Sequence, residues 1–148
     1  LNPQNEMLFF TLAQVIFMVL IGYFFGIYTL LYFLVSAIIG ALLLETVNYI
    51  EHYGLLRKRN PNGNYERVLP KHSWNSNHLL GRLMLFELSR HSDHHYLASR
   101  KYQVLRHHDD APQMPTGYPG MIVLALFPPL WFRVMNRQLK KYESIISA

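Results

Sequence analysis

The sequence predicts an all-α fold, an integral membrane helical bundle fragment. Two transmembrane helices precede a helical, histidine-rich segment that lies outside the bilayer. Three observations predict this. The 148 residues are 51% hydrophobic and 16% charged, too apolar for a disordered chain or a nucleic-acid-binding tail. The charge is divided along the chain. Residues 1–56 hold three acids and no Lys or Arg, a net −3, while residues 57–148 hold all fourteen Lys and Arg with six acids, a net +8. All eight histidines lie at or beyond His52.

The two helices come first. From Met7 to Val47 the only charged residue is Glu45. About 20 residues cross the ~30 Å hydrocarbon core, so the run is long enough for two passes. Backbone groups in lipid must be satisfied within the segment, which makes helices the expected form. Gly22, Gly26 and Ile27-Tyr28-Thr29 mark a tight turn between them. The run is too long for a signal peptide and has no basic leader. The hairpin is placed at residues 7–53. Arg57-Lys58-Arg59 follow at once, and the positive-inside rule puts residues 54–148 on the cytoplasmic side.

Within that segment, Asn60-Pro-Asn-Gly-Asn64 reads as a loop. Residues 76–100 show helical spacing in Leu79, Leu80, Leu83, Met84 and Leu88, with Ser76 or Asn77 as the cap. Asp109 to Gly120 reads as an ordered, Pro- and Gly-rich loop. Met121 to Phe132 is apolar but broken by Pro128-Pro129. It is too short to span, and is expected on the membrane surface or packed on the bundle. There is no cysteine, which excludes disulfides, thiolate metal sites and cysteine nucleophiles.

The histidines carry the chemistry. In His91-Ser-Asp-His94-His95, positions i, i+3 and i+4 share one helical face, where imidazoles can converge on a metal. Glu87, four residues earlier, is expected on the same face as a ligand or supporting carboxylate. Glu45, Asn48 and His52 face together at the inner end of the second helix, and ionisable groups at that depth are costly unless paired or functional. By itself a single His at that depth, such as His52, is more often structural than ligating. His72, His78, His107 and His108 are weaker candidates. Histidine and carboxylate without thiolate suit iron, zinc, manganese or copper, and spacing does not choose among them.

At these residues the chain resembles the membrane-bound alkane 1-monooxygenases, relatives of the fatty-acid desaturase and xylene monooxygenase group. Asn48-Tyr-Ile-Glu-His-Tyr-Gly54 and Arg90-His-Ser-Asp-His-His95 match two of that family's signature boxes. Ser73-Trp-Asn-Ser-Asn-His78, the stretch from Leu105 to Tyr118, and Pro128-Pro-Leu-Trp-Phe-Arg133 continue the pattern. The resemblance covers essentially the whole chain. It implies a six-helix membrane bundle with a non-haem di-iron centre, two Fe ions held by nine histidines. His52, His91, His94 and His95 are then four of the metal ligands, and His72, His78, His107 and His108 are not. Tyr49, Glu51, Glu87 and Asp93 are candidates to support those ligands.

The implied reaction is terminal hydroxylation of medium-chain alkanes. O₂ is the co-substrate, and electrons come from rubredoxin through rubredoxin reductase, in the bacterial inner membrane. The basic region suits an acidic electron carrier, and suits anionic lipid equally. A sister enzyme acting on xylene or fatty acyl chains is the near alternative. A histidine-lined metal transporter is the different class, and it would need ionisable groups within residues 7–44, which hold none. The family's HExxH and ExxxHH boxes have no counterpart in residues 1–47, and the chain opens on Leu1. The expectation is that residues 1–148 are the C-terminal part of a single membrane domain, inactive alone.

Overall fold

The computed structural model describes residues 5–146. Among the described residues, six α-helices run in the order α1 (Glu6–Phe25), α2 (Ile27–His52), α3 (Leu79–Met84), α4 (His91–Tyr96), α5 (Tyr118–Ala125) and α6 (Pro128–Ile146), with short 3₁₀ turns at Pro70–His72 and Tyr102–Val104. Among the described residues there is no β-strand, only isolated bridges between Arg59 and Tyr65 and between Asn75 and Gln113. The chain divides after Leu44 into two compact units.

The first unit is an antiparallel pair of apolar helices. Asn5 caps α1, its side chain accepting from the Met7 N–H at 3.0 Å, which satisfies one of the orphan donors of the first turn. The chain reverses at Gly26, whose φ of +84° is a conformation that only glycine adopts without strain. Phe17 and Phe33 then meet edge to face at 5.6 Å. Thr11, Thr29 and Ser36 donate their hydroxyls to carbonyls one turn earlier, at 2.8–2.9 Å, so these three hydroxyl protons need no solvent partner. Both α1 and α2 are long and apolar enough to cross a membrane. Phe9, Phe10, Val19, Phe24, Tyr28, Ile38 and Leu42 are exposed, as an apolar solvent or further helices would require.

The second unit has a proper core of Ile50, Trp74, Met114, Tyr118, Met121, Trp131 and Met135. Trp74 is its keystone. Its backbone N–H donates to Glu51 O at 2.8 Å and its indole N–H to Tyr53 O at 2.7 Å, so one residue caps two carbonyls at the end of α2 that have no intrahelical partner. Trp74→Phe keeps most of the ring but strands the Tyr53 carbonyl. A loss of about 2–4 kcal/mol is expected, from the orphaned acceptor plus the small cavity, read as a lowered midpoint in thermal unfolding.

Past Trp74 the chain runs extended. Asn75 N–H donates to Pro112 O at 2.7 Å, Met114 N–H to Asn75 O at 2.8 Å, and Ser76 N–H to Ser89 O at 2.9 Å. The 60–64 loop is a tight turn with Gly63 at φ +83°, closed by Asn60 N–H to Asn64 O at 2.7 Å. The loop expected from Asp109 ends at Gly117, where α5 begins.

Two sequence expectations are corrected here. Residues 76–100 are not one helix. α3 starts only at Leu79, after His78 rather than Ser76 or Asn77, and the chain turns through left-handed Phe86 (φ 50°) and Glu87 (φ 66°) before α4 begins at His91. Two ion-paired hydrogen bonds from Arg82 to Glu87, at 2.8 and 2.9 Å, hold that turn. The apolar run from Met121 to Phe132 is likewise split. Pro128 does not merely interrupt it but opens α6, where a missing N–H costs nothing, and α6 continues through the charged residues to Ile146. Trp131, Met135, Leu139 and Tyr142 form its inward face, at the three- and four-residue spacing of an amphipathic helix.

Candidate metal centre

Three of the four expected ligands converge. His52 ends α2, and His91 and His95 lie one turn apart on α4. One ligand atom from each lies within 4.8 Å of the other two. The ring centroids are 5.1 Å apart for His52–His91, 5.1 Å for His52–His95 and 4.4 Å for His91–His95. His94 stands beside this group, its ring 5.5 Å from His95 and 6.0 Å from His91. The helix explains the difference. Positions 91 and 95 are about 40° apart around the axis, while position 94 lies about 60° to the other side of His91.

The donors are set up for a metal. Asn48 O, a carbonyl that only accepts, lies 2.9 Å from His52 Nδ1, so Nδ1 carries the proton and Nε2 keeps its lone pair. His91 is buried, with Nδ1 3.3 Å from the Glu51 carboxylate, while its Nε2 is buried without a protein partner. Such an orphan is costly, and a cation at Nε2 removes the cost. The carboxylate behind the ring fixes the tautomer and raises ligand basicity. Neutral imidazoles with this support fit a divalent transition metal such as iron.

Glu51 is held in turn. It is buried, and Tyr118 donates its hydroxyl to Glu51 Oε1 at 2.5 Å. Burial, with the carboxylate beside it, pushes the Tyr118 hydroxyl pKa up, so the phenol stays a donor. Burial also pushes His91 down to about 2, helped by His95, His52 and His94, and His95 is lowered for the same leading reason. Without metal, the folded protein therefore keeps His91 neutral where the unfolded chain, near 6.5, takes up a proton. That stability is complete above pH ~6.5 and declines as pH falls toward 2. The metal-free thermal midpoint is expected to fall on acidification from about pH 6.5, and to fall less in His91→Gln.

The supporting candidates separate. Glu51 meets a ligand candidate directly. Tyr49 stacks on Tyr53 and Trp131, with centroids 5.5 Å away in each case, and lines a cavity with Glu45, Asn48, His52 and His95. Asp93, fully buried, accepts from Arg106 N–H at 2.8 Å, from His108 Nε2 at 2.8 Å and from Arg100. It ties α4 to the chain beyond it rather than touching a ligand. Glu87 does not share the His91 face. The left-handed turn carries it away, and Arg82 and Arg90 hold its carboxylate.

Three of the other histidines, His72, His107 and His108, have partners of their own. His72 accepts the Leu69 N–H at Nδ1 and bonds Glu66 through Nε2, both at 3.0 Å. His107 bonds Asn75 at 3.0 Å and pairs with Asp109 at 3.1 Å, and His108 is the Asp93 partner. His78 caps α3 by position. Sequence reasoning missed Tyr118, Arg100 and the role of His108. Tyr118 is 67 residues from Glu51, and no spacing rule links them.

A sequence model of the fatty acid desaturase family matches residues 3–125. The chain belongs to the fatty acid desaturase family. Among individual relatives, it is 52% identical over 142 residues, 96% of its own length, to alkane 1-monooxygenase 2 of Pseudomonas aeruginosa. It is 49% identical, also over 96% of its length, to alkane 1-monooxygenase 2 of Alcanivorax borkumensis. It is 33% identical over 69% of its length to the xylene/toluene monooxygenase hydroxylase component XylM of Pseudomonas putida. The chain spans 38% and 37% of the length of the first two relatives, and 26% of the third. Together with its two apolar helices, this family membership makes the desaturase-family chain part of a membrane protein.

Proposed function

We propose that this chain is the C-terminal part, with His52, His91, His94 and His95 as ligands, of a membrane monooxygenase that hydroxylates the terminal carbon of medium-chain alkanes. The observation that carries the reading is the convergence of His52, His91 and His95, with Glu51 behind His91. Its context is about 50% identity to alkane 1-monooxygenases along nearly the whole chain. A non-haem di-iron centre held there would supply the activation of O₂. Rubredoxin, kept reduced by rubredoxin reductase, would be the electron donor.

The chain's own residues set the conditions. Asn48 O and Glu51 orient His52 and His91 with Nε2 free. Tyr118 keeps the Glu51 carboxylate in place and does not itself ionise. His52 and His95 close two cavities. One is lined by Glu45, Asn48, Tyr49, Tyr53 and Gly54. The other is lined by Leu55, Leu56, Arg57, Tyr65 and Val68, with His72 and Ser73. The first is the approach for an apolar substrate travelling in the bilayer. The second opens beside Arg57 and the exposed Lys58 and Arg59, a charge pattern that speeds encounter with an acidic electron carrier. Positive charge after the second span supports a cytoplasmic location for this side, with the spans in a bacterial inner membrane.

The test is product formation. The full-length protein, given O₂ and reduced rubredoxin, is expected to convert octane to 1-octanol far faster than it oxidises xylene or a fatty acid. Xylene oxidation at a higher kcat/KM than octane would move the reading to the sister activity. No oxidation of any of them by iron-loaded protein would end it.

A further inference from the structure

Helix α6 carries a second surface that the metal centre does not use. Arg133, Arg137 and Lys140 recur at i, i+4 and i+7, and so form one exposed stripe. The stripe lies opposite the buried Trp131 and Met135. With Phe132 and Asn136 the three cations line a shallow groove, and among the described residues none of the three has a carboxylate partner. Charges held together without a counter-ion repel one another and call for anions. The entry to the helix supplies the second half of the pattern: Leu126 and Phe127, in the joint just before α6, and Leu130, in its first turn, are exposed at 67%, 59% and 49%.

An apolar tip joined to a cationic stripe along one helix suits a leaflet surface, where the tip enters the acyl boundary and the cations meet phosphates. A soluble acidic protein would complement the stripe but leave Leu126 and Phe127 in water. We propose that α6 is an interfacial helix whose Arg133–Arg137–Lys140 stripe binds the headgroups of anionic phospholipids. This does not depend on which reaction the metal centre performs. The chain carries two spans, so such headgroups are always at hand.

The experiment uses purified full-length protein in neutral detergent, titrated with phosphatidylglycerol and separately with phosphatidylcholine, with bound lipid counted by native mass spectrometry. Each basic group at an anionic surface is worth about fivefold in affinity. The R133Q/R137Q/K140Q variant is expected to lose at least about tenfold in phosphatidylglycerol affinity, and the charge-conserving R133K/R137K variant to retain it. Phosphatidylcholine binding should not change. Wild-type affinity for phosphatidylglycerol should also fall with added salt, a readout that needs no variant to fold. Salt-independent binding, or equal binding of the two lipids, overturns the proposal. So does an R133Q/R137Q/K140Q variant that keeps its phosphatidylglycerol affinity and loses only its affinity for reduced rubredoxin.

Discussion

His91→Gln is expected to lower the metal affinity of the full-length protein by more than about 100-fold and to remove hydroxylation with it. The reason lies in two neighbouring atoms. His91 Nε2 is buried without a protein partner, and Nδ1 lies 3.3 Å from Glu51. Glutamine fills similar space but presents no imidazole lone pair to a metal. The supporting residues are expected to follow in order. Glu51→Gln keeps the shape and removes the charge behind the ring, and losses of about 10–100-fold are usual for such partners. Tyr118→Phe keeps the Glu51 carboxyl group but removes its 2.5 Å donor, and the loss should be smaller still. Iron titrations of the three variants check this. A Tyr118→Phe defect larger than that of His91→Gln would reverse the assignment of roles.

Gly54→Ala is expected to destabilise the second unit by about 2–5 kcal/mol, from two separable causes. The residue sits at φ +71°, where a side chain costs about 1–2 kcal/mol. An added Cβ would also lie 2.6 Å from Leu139 Cδ2, so α6 must give way or the leucine must turn, at a cost of about 1–3 kcal/mol. The Gly54→Ala/Leu139→Ala pair should recover the steric part and leave the backbone part. The effect reaches the metal because Gly54 follows His52 by two residues. Thermal unfolding of the single and double variants measures both parts, and iron content shows whether His52 keeps its place. A double variant no more stable than Gly54→Ala corrected for Leu139→Ala alone would remove the steric cause.

Much of this was legible in the sequence because it is local. The two spans follow from an uncharged run from Met7 to Leu44. The pairing of His91 with His95 follows from helical spacing, and the resemblance supplied His52. What was not legible depends on distant contacts. The spacing of Leu79, Leu80, Leu83 and Met84 is helical, but whether that helix continues to Arg100 was decided by Arg82 drawing Glu87 through a left-handed turn. That same turn took Glu87 from the face its spacing had given it. Pro128-Pro129 reads as a break, yet proline also opens helices, and only the inward face of Trp131, Met135, Leu139 and Tyr142 reveals α6. Tyr118 and Trp74 reach the end of α2 from other segments, and neither carries a local signal.

The most direct test of the central claim is the iron content of the full-length protein when single histidines are replaced by glutamine. The geometry predicts that His52→Gln, His91→Gln and His95→Gln each lose most of their iron. His72→Gln and His107→Gln, whose rings already have protein partners, should keep theirs. Full iron in His52→Gln or His95→Gln, or loss of iron in His72→Gln with the fold intact, would contradict the assignment of the metal to this cluster.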